Sequence, residues 1–315
     1  MKPIIWRKHG LAFDAPAVAW IGSHAQNPTP LLLEDRMRVY CNVRPPPDAN
    51  GNYCARVAYA DLDRENPTRL LTIAEEPIMP LGGRGEFDEF GTMVQSVIRH
   101  PNTGDLWMYY VGWTRKVSVP FDWAIGLAIS RDGGETFKRQ GKGPIIGATQ
   151  DEPFLHACPH VQREGDLWHL WYGTGIEWQS KEVEPIYRLF HATSKDGQHW
   201  QREGQPFLPL VVEDECQTTP TVFRHNGRWT MLFSYRYGTD FRSAERGYRI
   251  GCAVSDDLKT WTRNDDLVGL KPSATGWDSE MVAYPAVLQT DDQTLLFYCG
   301  NGFGQAGFGI AIAEN

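Results

Sequence analysis

One strand-rich pattern recurs five times along the 315 residues, and a repeat of this period dictates an array of equivalent units. Its clearest half is a strand, a turn and an aromatic residue: GLAISRDGGETFKRQGKGPI from Gly126, LFHATSKDGQHWQREGQPFL from Leu189 and IGCAVSDDLKTWTRNDDLVG from Ile250. Upstream of these, and again near the end, lies a second half: MVQSVIRHPNTGDLWMYYVG, ACPHVQREGDLWHLWYGTG, TTPTVFRHNGRWTMLFSYR and AYPAVLQTDDQTLLFYCGNG, each a strand, a polar hairpin turn and an aromatic strand. A divergent first copy reads QNPTPLLLEDRMRVYCNV followed by ARVAYADLDRENPTRLLTI. Each copy has room for four strands, the signature of propeller blades.

The last copy stops after its third strand, at FGIAIAEN, whereas the chain begins with IIWRKHGLAFDAP, which matches the fourth-strand pattern of FKRQGKGPII and WQREGQPFLP. The expectation is an all-β fold, a single five-bladed β-propeller over residues 1–315 with four-stranded antiparallel blades. The N-terminal strand completes the last blade and leaves no open edge between the ends. The turn SRDGGETF fits the Asp-box pattern SxDxGxT plus an aromatic, a structural device of the outer hairpins in which Asp and Ser bond turn backbone.

Composition narrows the function. A net charge of −8 and the lack of any Lys/Arg run exclude nucleic acid as a partner. No apolar run approaches the roughly 20 residues that span a bilayer, and MKPIIWRKHG lacks a signal-peptide core, so no membrane partner and a cytoplasmic location are expected. Cys41, Cys54, Cys158, Cys216, Cys252 and Cys299 show no CxxC pair and read as reduced thiols.

In a propeller the innermost strands line the axis, and here they carry the Pro-marked segments. Acids gather just before them: Asp88 and Glu89, Asp151 and Glu152, Glu213 to Glu215, and Asp278 with Glu280. Like charges held close raise one another's pKa, and a protonated and an ionised carboxyl form the pair that cleaves a glycosidic bond. Glu152, Glu215, Asp278, Asp88 and Glu89 are therefore the candidate catalytic residues. Candidate substrate-binding groups are His24, Gln26 and Asn27 in the first blade, which has no acid, and Gln95, Trp113, His156, His160, Glu280 and Tyr284. No cofactor is expected, although the same acids or histidines could hold a cation in the axial channel. The stretch SYRYGTDFRSAERGYRIG adds Tyr235, Arg236, Asp240 and Arg242, whose guanidinium groups could grip an anionic carbohydrate.

The repeated units and the swapped first strand resemble the five-bladed propeller glycosidases: glycoside hydrolase family 43, the invertase group and the mannoside phosphorylases. More narrowly, ECQTTPTV, SYRYGTDFR, GWDSEMVAYP and GNGFGQAGFG resemble propellers found among surface-polysaccharide biosynthesis genes. The resemblance implies a glycoside hydrolase-like enzyme, with Glu152 on the blade of the general acid and Asp88 or Glu89 on that of the residue tuning its pKa. The first-blade base has no counterpart in SHAQNP, which leaves Glu215 or Asp278 to supply it. Two alternatives stand beside hydrolysis: phosphorolysis, with phosphate as acceptor, and a non-catalytic carbohydrate-binding propeller.

Overall fold

A computed structural model describes residues 2–47, 51–179 and 183–314. Strand β1 (Trp6–Asp14) precedes the first blade, which comprises β2 (Ser23–Leu32), β3 (Met37–Arg44), β4 (Arg56–Leu62) and β5 (Leu70–Ile73). Blade two is β6 (Gly91–Arg99), β7 (Leu106–Thr114), β8 (Asp122–Ser130) and β9 (Lys138–Arg139). Blade three is β10 (His156–Glu164), β11 (Leu167–Trp178), β12 (Pro185–Ser194) and β13 (Gln201–Arg202). Blade four is β14 (Cys216–His225), β15 (Arg228–Arg236), β16 (Arg249–Ser255) and β17 (Thr262–Arg263). The fifth sheet runs β18 (Ala283–Gln289), β19 (Thr294–Cys299), β20 (Gly307–Ala313) and then β1, whose Trp6 pairs with Ala313 and Asp14 with Gly307. All pairings within the blades are antiparallel, so the fold is the five-bladed propeller expected, closed by its N-terminal strand.

The Asp boxes hold the outer hairpins. Ser130 Oγ donates to Asp132 Oδ1 (2.7 Å) and accepts from Gly134 N (2.8 Å), and the same bonds recur at Ser194–Asp196 and Ser255–Asp257. The aromatic after each box packs on the second strand of the preceding blade. Phe137 meets Tyr40 edge-on at 5.6 Å, Trp200 meets Tyr109 at 6.2 Å, and Trp261 meets Trp171 at 5.9 Å. Such pairs add about 0.5–1.5 kcal/mol each beyond their burial and fasten blade to blade. Tyr40 and Tyr109 also donate to the carbonyls of Gly134 and Gly197 in those boxes.

Toward the axis, the inner strands of blades two to five present unpaired backbone N–H groups to their neighbours, and a side chain of the preceding blade satisfies one in each. Val94 N donates to Asn42 Oδ1 (2.6 Å), Val161 N to Ser96 Oγ (3.1 Å), Val222 N to His160 Nε2 (3.1 Å) and Val287 N to Thr221 Oγ1 (3.1 Å). Buried backbone donors require such partners, so this ring is part of the fold's core. Among the described residues, no helix is long and apolar enough to cross a membrane, and all six cysteines are unpaired.

Candidate functional site

Every inner strand slips its pairing register midway, at or just before its Pro-marked position: between Gln26 and Thr29, Val94 and Ser96, Ala157 and His160, Thr218 and Thr221, and Ala283 and Ala286. In four of the five strands the bulge residue is left-handed: Asn27 (φ 52°), Cys158 (51°), Thr219 (48°) and Tyr284 (56°). Asparagine tolerates this conformation, but a β-branched threonine and a tyrosine do not, at a cost on the order of 1–3 kcal/mol each. Backbone strain gathered in one ring marks a site. It turns these side chains, with Gln95, into the channel and divides it in two.

On the side of the inner strands' N-termini lies a cavity of about 230 Å³. One wall is aromatic. Trp113 and Trp123 face each other across β7 and β8, and Phe121 stacks on Trp123 at 4.5 Å and meets Trp113 edge-on at 6.4 Å. Gly91 makes room for this wall, since a Cβ there would stand 3.1 Å from the Trp113 ring. The polar part of the lining comprises Gln26, Asn27, Arg44 and Gln95, with Thr218, Tyr187, Tyr248 and Tyr284. Asn27 Nδ2 donates to Thr219 Oγ1 across the ring at 3.4 Å, which floors the cavity. Beyond the floor a second space of about 210 Å³, lined by the Pro-marked segments and His160, opens toward the other face.

Of the side chains expected from sequence, Gln26, Asn27, Gln95, Trp113 and Tyr284 line the cavity, whereas Asp88, Glu89, Glu152, Glu215, Asp278 and Glu280 do not. This corrects the expected convergence of carboxylates on the axis. Asp88, Glu152, Glu215 and Asp278 are buried inside their own blades, each tied to a cation on the outermost strand. Arg139 reaches Asp88 (3.2 Å), Arg202 reaches Glu152 (3.2 Å), Arg263 reaches Glu215 (2.6 Å) and Lys8 reaches Asp278 (2.6 Å). The second strand adds a phenol in three blades, where Tyr110, Tyr172 and Tyr298 donate to Asp88, Glu152 and Asp278 at 2.8–3.0 Å. In blade four, Phe233 sits at that register position. Glu215 takes instead the N–H groups of Val211 (2.9 Å) and Val212 (3.3 Å) and the Gln217 amide (2.8 Å).

Blade one has neither acid nor cation in this arrangement. The indole of Trp20, in its lead-in, donates to the carbonyl of Ala74 just beyond β5 (3.0 Å) and makes a neutral version of the same tie. The missing first-blade acid is thus a substitution of one structural fastening for another.

The protonation of Glu152 also argues against the general acid. Burial alone would raise its pKa, but bonds from His156 (3.1 Å) and Tyr172 and the charge of Arg202 outweigh that and lower it. An ionised carboxylate has no proton to give a leaving group. Burial does raise the Asp88 pKa, against the opposing effects of Tyr110 and Arg139, but this acid too lies off the cavity. Glu89 accepts from Gly85 N at the surface.

The remaining expected residues do not line the cavity. His24 bonds Ser23 Oγ and is held neutral, its pKa lowered to about 4 by burial and by Arg44. His156 lies beside Glu152, and His160 caps Val222 N below the floor. Tyr235 lies under the Arg263 guanidinium. The arginines expected to grip an anion are engaged elsewhere. Arg236 is buried against Phe241 and donates to the hydroxyls of Tyr187 and Tyr248 and to backbone carbonyls. Arg242 pairs with Glu184 at the surface, and Asp240 is exposed beside it. Among the described residues, no group of three or more His, Cys, Asp or Glu side chains could hold a metal ion.

Sequence reasoning missed Arg44, Phe121, Trp123 and Tyr187. Arg44 ends β3, and Trp123 is the cross-strand partner of a tryptophan that was found, so hairpin register was the available signal.

No family model matches the chain. It is 33% identical over 314 residues, 98% of its length and 99% of the relative's, to Uncharacterized protein MT1551 of Mycobacterium tuberculosis (strain CDC 1551 / Oshkosh). It is 29% identical over 182 residues, 56% of this chain and 53% of the other, to a 1,2-beta-oligomannan phosphorylase of Thermoanaerobacter sp. (strain X514). A solved structure titled "Glycoside hydrolase" superposes with a TM-score of 0.75 at 18% identity, covering 100% of this chain and 93% of that one.

Proposed function

The chain belongs to the same family as Uncharacterized protein MT1551 of Mycobacterium tuberculosis, and from the architecture and the axial cavity we propose that it is a glycan-acting protein of the glycosidase type, holding a sugar ring of a glycan or sugar conjugate in that cavity. The observation that carries this reading is the mixed lining. The aromatic faces of Trp113, Phe121 and Trp123 suit the C–H face of a sugar, and the amides of Gln26, Asn27 and Gln95 in the same cavity suit its hydroxyls. The likeness to an oligomannan phosphorylase supports chemistry at a glycosidic bond, with phosphate or water as acceptor. In this reading the four clamped acids hold the blades, and the cavity's own proton-bearing groups include the phenols of Tyr187, Tyr248 and Tyr284.

One observation favours a second reading, sugar binding without turnover: among the described residues no carboxylate lines the cavity, and glycosidic cleavage ordinarily uses two. Incubation with aryl glycosides and β-1,2-linked manno-oligosaccharides, with and without phosphate, separates the cases. Release that requires phosphate indicates phosphorolysis, and release without it indicates hydrolysis. Quenching of tryptophan fluorescence by sugars with no release indicates binding alone, and the absence of both overturns the proposal. We place the protein in the cytoplasm, where its six unpaired thiols suit a reducing compartment.

A further inference from the structure

The polar groups of the axial cavity are unbalanced toward hydrogen-bond donors. Arg44 lines it, and a guanidinium has donors only. Among the described residues, its one side-chain hydrogen bond is a 3.4 Å contact to Gln26 Oε1, and it forms no ion pair with any carboxylate. Burial lowers its pKa, and the groups opposing that shift are the phenols of Tyr284 and Tyr53 rather than acids. His24, close enough to feel the Arg44 charge, is held neutral.

A further donor comes from two phenols of the lining. Arg236 Nε donates to both Tyr187 and Tyr248 oxygens, at 3.1 and 3.3 Å, and these hydroxyls share one hydrogen bond, so one phenol proton is left over. Among the described residues this partly buried cation has no counter-charge, which is costly, and a bound anion would remove that cost.

We propose that Arg44 recognises an anionic group, and that the sugar in the cavity carries a negative charge, either a uronate carboxylate or a phosphate. The inference rests on the reading of the cavity as a sugar site and specifies its substrate class. At about 230 Å³ the cavity is smaller than the roughly 300 Å³ of small ligand pockets, and it takes one charged ring rather than a length of chain.

The test is a tryptophan-fluorescence titration with three sets of probes: hexose 1-phosphates with inorganic phosphate, hexuronates, and neutral methyl hexosides. The expected result is at least about tenfold tighter binding of one anionic set than of its neutral counterparts, weakening as NaCl is added. Arg44→Gln should abolish that preference, so that charged and neutral sugars then bind within about twofold of each other. Arg44→Lys, which keeps the charge without the planar fork, should retain part of it. The set that binds tells carboxylate from phosphate. An undiminished preference in Arg44→Gln, or neutral sugars binding as tightly as anionic ones to the unmodified protein, would overturn the anion assignment and leave the sugar site standing. Failure of every probe to bind would overturn both.

Discussion

The ammonium of Lys8 lies 2.6 Å from Asp278 Oδ2, joining the first strand of the chain to the lead-in of its last blade across 270 positions of sequence. This ion pair fastens the closure chemically as well as through the ladder between β1 and β20. Its partners are unequal, since the Asp278 side chain is 3% exposed and that of Lys8 26%.

Removing Lys8 alone leaves a buried carboxylate with only the Tyr298 hydroxyl and the surrounding dipoles. Lys8→Met is expected to lower stability by about 3 kcal/mol, the lower end for a broken buried pair because Lys8 keeps some contact with water. The double variant Lys8→Met/Asp278→Leu should recover part of that loss. Urea denaturation of the single and double variants checks both, and equal stability of Lys8→Met and the unmodified protein would refute the fastening.

Glu152→Gln keeps the shape of the side chain but replaces a charged acceptor of His156, Tyr172 and Arg202. The expected cost is about 1–3 kcal/mol of stability. Any turnover of a glycan should change by less than about tenfold at a temperature where the variant is folded. A loss of several orders of magnitude in kcat from a fully folded Glu152→Gln protein would instead return this residue to the chemistry.

Trp113→Ala and Trp123→Ala remove the aromatic wall of the cavity while leaving the clamps and Asp boxes intact. Each should weaken sugar binding about tenfold or more, equivalent to roughly 1.4 kcal/mol. Calorimetric titration of both variants with whichever sugar quenches the unmodified protein measures this, and unchanged affinity in both would remove the sugar from this cavity.

Stability should depend on pH through His160. Burial lowers its pKa from 6.5 to about 4, and its Nε2 accepts the Val222 N–H, so the folded protein refuses a proton that the unfolded chain takes up. A depressed folded-state pKa means that the stabilisation is complete above pH 6.5 and is lost as pH falls toward 4, by as much as about 3 kcal/mol. Glutamine can offer an amide oxygen in place of Nε2 without titrating. Melting temperatures of His160→Gln between pH 7 and 4 should therefore fall less steeply than those of the unmodified protein. An identical slope would show that His160 does not carry the effect.

The repeat made the fold legible because propeller blades differ little in what they ask of a sequence: an Asp-box turn, an aromatic behind it, a hairpin before it. The entrance acids misled for the same reason. Their common register showed that Asp88, Glu152, Glu215 and Asp278 are equivalent, but not which way they face. The deciding signal was in the repeat itself, as an aromatic, any residue and a cation: Phe137-Lys138-Arg139, Trp200-Gln201-Arg202, Trp261-Thr262-Arg263 and Trp6-Arg7-Lys8. The blade that lacks the acid lacks this triplet too, so acid and cation come and go together, as partners in a structural pair do. Arg44 was illegible for the opposite reason. It ends the second strand of its blade, a position at which the five blades do not share one residue type.

The mid-strand bulges let every blade write one position of the cavity floor. Because the backbone's own slip turns Asn27, Gln95, Cys158, Thr219 and Tyr284 inward, each blade contributes one residue, and Asn27 and Thr219 are bonded to each other across the ring. The floor therefore reads as five letters written around an axis, two of them coupled. Within this family, divergence in ligand preference should be concentrated at those five positions while the blades that carry them stay constant.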